Sequence, residues 1–75
     1  VNDLINNFGR AVRHFREARG WSQELLAEKA DLNRSYLGEV ERGKVIPSLE
    51  TAGKLAGALG ISLSRLLFHC EQRAA

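Results

Sequence analysis

An all-α fold of five helices follows from three features of the sequence. Apolar residues recur at helical spacing along the chain, and no segment alternates as a strand would. A hydrophobic residue, a capping residue and an apolar residue at the fourth helical position recur at Trp21-Ser22 before Leu26, Leu32-Asn33 before Leu37, and Ile61-Ser62 before Leu66. This hydrophobic staple fixes the angle at which the chain enters a helix. Gly20, Gly43 and Gly60 stand where helices should stop.

Taken in order, helix one is expected at about residues 4–19, with Leu4, Ile5, Phe8, Ala11, Val12 and Phe15 on one stripe and Gly20 at its end. Helix two, at residues 23–30, is capped by Ser22. Helix three, at residues 34–42, is capped by Asn33. Ser48 caps helix four at residues 49–59, and helix five runs over residues 63–72. None of the three staples carries the reciprocal Glu or Gln of a full capping box. On helix five, Leu63, Leu66, Leu67 and Cys70 share the inner face, whereas Phe68 points roughly the other way. The 75 residues suffice for one domain, 1–75, with a thin core.

Composition narrows the function. Apolar residues make up 44% and charged residues 27%, the balance of an ordinary globular protein. No apolar run approaches the ~20 residues of a membrane span, and no basic segment followed by an apolar stretch heads the chain, so no secretory signal is expected. The single cysteine, Cys70, allows no intrachain disulfide, which fits a reducing, cytoplasmic setting, and its expected role is packing. His14, His69 and Cys70 do not form a clustered metal-ligand set. The sequence offers no nucleophile–base pair and no glycine-rich phosphate loop. No catalytic residue, cofactor, metal or small-molecule site is therefore expected, and the chain does not read as an enzyme. The two histidines read as exposed polar residues, and Arg10 and Arg13 as a solvated face of helix one.

The formal net charge is +2, with a sequence pI of about 9.1. Its distribution is more informative than its sum. Residues 1–20 are net positive through Arg10, Arg13, Arg16 and Arg19, whereas residues 21–32 are net negative through Glu24, Glu28 and Asp31. A binding surface here has to be made from selected positions.

Those positions gather around one corner. Asp31-Leu32-Asn33 is too short to let helices two and three lie side by side. A turn of this length is typical of two helices crossing at ~90–120°. Ala27 is small enough for the close approach, and Leu26, Ala30, Leu32, Leu37 and Val40 would lock the corner; an ordinary helical hairpin is the alternative. Helix three then begins with Arg34, a cation at the end where the helix dipole favours acids. Its outer face reads Ser35, Gly38 and Glu39, with Arg42 at the end, and none of these looks selected for packing. Such a face implies an external partner, and duplex DNA is the best candidate.

The stretches FGRAVRHFREARGWSQELLAEKA, LNRSYLGEVERGK and PSLETAGKLAGALGIS carry a resemblance. With Arg16, Ser22-Gln23, Leu26-Ala27, Glu41-Arg42-Gly43, Pro47-Ser48-Leu49 and Leu55-Ala56 in register, the chain resembles the phage-repressor/Cro-like helix-turn-helix family, also called the xenobiotic-response-element type. The likeness runs from about Phe8 to Leu67. Two positions depart from the family pattern. Asp31 stands where the family often has Gly, at a site that commonly needs a left-handed backbone. Trp21 replaces a smaller aliphatic residue, either as a larger staple or as a donor to the DNA backbone.

The resemblance implies a compact lambda-repressor-like DNA-binding domain whose third helix enters the major groove. Arg34, Ser35 and Glu39 would then read bases: Arg34 by a bidentate bond to guanine, and Glu39 either by accepting from cytosine or by steadying a neighbouring arginine. Ser35 has local hydrogen bonding as its alternative. Gln23, Asn33, Arg42 and Lys44 would meet phosphates. Gly38 would permit close approach, to a groove or to another helix. The resemblance also pairs Arg16 with Glu41 across the core. Phe68, exposed beside Leu67 and near Val45 and Ile46, suggests a self-association patch. The expected protein is thus a homodimeric transcriptional regulator on a palindromic operator, of bacterial or phage type, resembling repressors and the controller proteins of restriction–modification systems. The alternatives are an antitoxin-like interaction module of the same fold, or the N-terminal domain of a longer ligand-responsive regulator.

Overall fold

The computed structural model describes residues 2–74, with side chains from residue 4 to residue 72. Five helices follow one another: α1 (Asn2–Ala18), α2 (Gln23–Ala30), α3 (Arg34–Glu41), α4 (Leu49–Leu59) and α5 (Leu63–Ala74). No strand occurs among the described residues. The expected bounds hold for α2 and α4. α1 ends one residue earlier than expected, α3 ends one residue earlier at Glu41, and α5 runs two residues further.

Local chemistry sets each boundary. Ser22 Oγ accepts the Leu25 N–H at 3.0 Å, Ser48 Oγ the Thr51 N–H at 3.1 Å, and Ser62 Oγ the Arg65 N–H at 3.1 Å. Each bond satisfies a donor that the helix itself leaves unpaired. At the other ends, Gly20, Gly43 and Gly60 adopt φ values of 70°, 72° and 75°, the left-handed turn that stops a helix.

α1 packs on α5 and on α3, while α2 packs on α3 and α4. Val12, Leu26, Leu37, Val40, Leu55, Leu59, Leu66 and Cys70 are fully buried and belong to one core. Cys70 thus sits as packing, with its Sγ donating to the Leu66 carbonyl. Leu4 departs from the expected stripe: it is 48% exposed, and burial starts at Asn7 and Phe8. Periodicity gives the direction of a side chain, not the point where neighbouring helices end.

Gly9, which no pattern in the sequence singled out, explains how α1 reaches α3. A Cβ at Gly9 would lie 2.6 Å from the Glu41 carbonyl oxygen and closer still to that of Val40. Only glycine lets α1 rest directly on the C-terminal turn of α3.

Candidate nucleic-acid interface

The corner between α2 and α3 is built by Asp31 and Asn33. Asp31 adopts φ 57° and ψ 49°, the only positive φ outside glycine among the described residues. Its N–H reaches the Glu28 carbonyl, and the Leu32 N–H reaches the Ala27 carbonyl at 2.8 Å. The departure from glycine therefore leaves the left-handed turn intact, at the strain such a backbone imposes on a residue with a Cβ. Ala27, Leu26, Ala30, Leu37 and Val40 are buried at the corner, with Leu32 packed against them.

Asn33 caps α3 twice, its Oδ1 accepting from the Ser35 N–H at 2.8 Å and the Tyr36 N–H at 3.3 Å. Only the NH₂ end of its side chain is left for another partner. α3 then divides sharply. Leu37 and Val40 are fully buried, whereas Arg34, Ser35 and Glu39 are exposed on the outside. Glu39 forms no ion pair among the described residues, so it does not steady Arg34 in the free chain. Arg42 caps the C-terminal end and Lys44 is exposed beyond it.

Gly38 is buried rather than on the outer face. The space above its Cα is filled by the chain's own Arg42 and Gln23 side chains, not left open for a groove or another helix. Helical angle alone does not show this, because a side chain folding back from the next turn can cover a position that points outward.

Beneath this surface lies the ion pair. Arg16 Nε meets Glu41 Oε2 at 2.8 Å, and Arg16 Nη2 meets Glu41 Oε1 at 3.0 Å. The side chains are only 10% and 3% exposed. Arg16 Nη1 also donates to the Trp21 carbonyl at 2.8 Å. The hydrogen bonds to Glu41 raise the Arg16 pKa above its usual range, against desolvation acting the other way. Gln23, expected to meet a phosphate, spends its side chain here: its Nε2 donates to Glu41 Oε1 at 2.9 Å. One carboxylate thereby joins α1, α2 and α3. The bond between Gln23 and Glu41 spans 18 residues and no sequence spacing announces it.

Elsewhere the structure separates residues that the sequence put together. Val45 and Ile46 line a hollow with Ile5 and Asn6, near the start of α1. Phe68, 61% exposed, lines a different hollow with His14, Phe15, Arg65 and His69, near the end of α1. Ile5 and His14 are nine positions apart on α1, so the two hollows are ~13 Å apart along its axis. The expected single patch is two, because Phe68 leans toward the C-terminal half of α1. His14 and His69 are not isolated polar residues either. Their rings stack at 4.9 Å, and Phe15 meets both edge-on. Trp21 is half-buried, with Lys29 Nζ 4.9 Å from its ring. Arg13 is paired with Glu17 on the exposed face of α1.

Among the described residues no group of three or more histidine, cysteine or acidic side chains could hold a metal ion, and no helix is long and apolar enough to cross a membrane. Two short helices on a tight left-handed corner, the second buried on one side and bearing exposed Arg, Ser and Glu on the other, define a helix-turn-helix.

The comparisons agree. The helix-turn-helix family matches residues 12–66, and the chain belongs to it. It is 46% identical over 59 residues to an immunity repressor protein of Bacillus phage phi105, covering 79% of this chain and 41% of that one. It is 39% identical over 79 residues to control protein C.BamHI of Bacillus amyloliquefaciens, covering 97% of this chain and 98% of that one. The chain spans about half the length of the phage repressor and of a second relative. Among solved structures, the restriction-modification controller protein C.AhdI from Aeromonas hydrophila superposes with a TM-score of 0.81 at 47% identity, covering 88% of this chain and 98% of that one.

Proposed function

We propose that the chain acts as a homodimer on a palindromic DNA operator and controls transcription through α3. The observation that carries this is the two-sidedness of α3: Arg34, Ser35 and Glu39 are exposed while Leu37 and Val40 of the same helix are fully buried. An arginine at the first helical position works against the helix dipole, and a guanine edge gives that cation a purpose. Arg34 donates to guanine O6 and N7, Ser35 bonds within the same step, and Glu39 accepts from cytosine N4.

Arg42, Lys44 and the NH₂ end of Asn33 meet phosphates, supplying affinity and register. Gln23 contributes through its backbone at the first turn of α2, its side chain being engaged with Glu41. A two-fold arrangement sets two α3 helices ~34 Å apart over an inverted repeat. Support for self-association comes from Ile46, 80% exposed, and Phe68, together with half-buried Val45 and Leu67. Each protomer would then offer two contact patches. The setting that fits best is a bacterial cytoplasmic regulator without catalytic activity, and the nearly end-to-end match with a control protein favours restriction–modification control.

Selection from a random DNA pool tests the reading. Enrichment of an inverted repeat is expected, with Arg34→Ala losing ~1–3 kcal/mol mainly at one base position. Failure to enrich any sequence favours an interaction module of the same fold.

A further inference from the structure

Gly38 has no backbone reason to be glycine. Its φ is not among the positive values, and glycine weakens a helix interior relative to alanine. What the missing side chain provides is room. A Cβ there would lie 3.1 Å from Arg42 Nη1, 3.9 Å from Arg42 Cζ and 3.7 Å from Gln23 Oε1. Arg42 is one turn further along, at the C-cap. Its side chain runs back toward the helix start, as helical side chains do, until the guanidinium covers the bare Cα. Gln23 borders the same space and is itself held by Glu41, which is held by Arg16.

We infer that Gly38 is a positioning residue, a slot that seats the Arg42 guanidinium against the middle of α3. The inference rests on the DNA-binding reading above. Seated, the Arg42 charge lies at the level of Gly38, four residues or ~6 Å beyond Arg34 along the axis. The charge is thus presented one turn nearer the start of α3 than its own Cα, and Arg42 surrenders less rotamer freedom when it meets the duplex. A Cβ at 3.1 Å is tighter than ordinary contact, and the atom in its way is the end of a flexible side chain. Alanine at position 38 would therefore push the Arg42 guanidinium off its seat by a few tenths of an ångström and leave the backbone in place.

The test compares wild type, Gly38→Ala, Arg42→Ala and the double variant. All are titrated against a short duplex recovered by selection from random DNA, across a salt series, alongside thermal melting. Gly38→Ala should melt no lower than wild type yet bind about 2- to 5-fold more weakly, a smaller loss than that of Arg42→Ala, which alone should lower the salt slope by about one. The double variant should bind like Arg42→Ala alone, because the slot acts only through that side chain. Unchanged binding by Gly38→Ala overturns the inference. So does a lowered melting temperature, or a double variant whose loss is the product of the two single losses, as glycine serving direct groove access would give. Arg34→Ala on the same duplex separates the two levels. If it weakens binding while Gly38 acts independently of Arg42, the slot alone is wrong. If wild type prefers no sequence, the DNA-binding reading falls and takes the slot with it.

Discussion

Replacing Glu41 by alanine probes the joint on which α3 stands. The carboxylate accepts from Arg16 Nε at 2.8 Å, Arg16 Nη2 at 3.0 Å and Gln23 Nε2 at 2.9 Å, and its side chain is only 3% exposed. The substitution strands a guanidinium whose side chain is 10% exposed. Removing one partner of a buried pair costs ~3–5 kcal/mol. Arg16 keeps its bond to the Trp21 carbonyl and some solvent contact, so the lower end, ~3 kcal/mol, is expected. In a domain of this size each kcal/mol moves the melting temperature by roughly 4–8 °C, giving a fall of about 12–24 °C. Total stability should be only ~4–11 kcal/mol, so the variant should be marginally folded. Urea and thermal unfolding followed by circular dichroism measure this directly. The double variant Arg16→Met/Glu41→Leu should lie closer to wild type than Glu41→Ala, since apolar residues leave no stranded charge. A loss under ~1 kcal/mol for Glu41→Ala would refute the account of the joint.

Asp31→Gly should raise stability by ~0.5–1 kcal/mol and Asp31→Val lower it by ~1–2 kcal/mol, because the position is left-handed; urea titration separates them. Phe68→Ala should weaken dimerisation and operator binding together, and unchanged sedimentation at micromolar concentration would reject that role. Lys44→Ala should weaken all duplexes alike and lower the salt slope by about one, in contrast to Arg34→Ala. The hydrogen bond from Arg13 holds the Glu17 carboxyl below its ordinary 4.5. Its contribution is therefore complete above that pH and fades as pH falls through the lowered folded value, so acid melting curves of Glu17→Gln should lack this loss.

The sequence revealed what repeats or what caps. Ser22, Asn33 and Ser62 announce helix starts because capping is a local bond over two or three residues. The corner was legible for the same reason, its length being fixed by Asp31-Leu32-Asn33. The pair Arg16–Glu41 was legible only through resemblance, since its partners stand 25 residues apart. What escaped needed three-dimensional crowding: Gly9 beneath the carbonyls of Val40 and Glu41, the engagement of Gln23, and the cover over Gly38. The histidine stack escaped too, because it joins α1 to α5 across the fold rather than along either helix.

The single carboxylate shared by three helices has an evolutionary corollary. The tail of α3 is clamped from inside, while its outward side chains at 34, 35 and 39 lie outside the buried core. A descendant can therefore exchange those three side chains without relearning how to fold, whereas a change at Glu41 has to be answered by a matching change at Arg16.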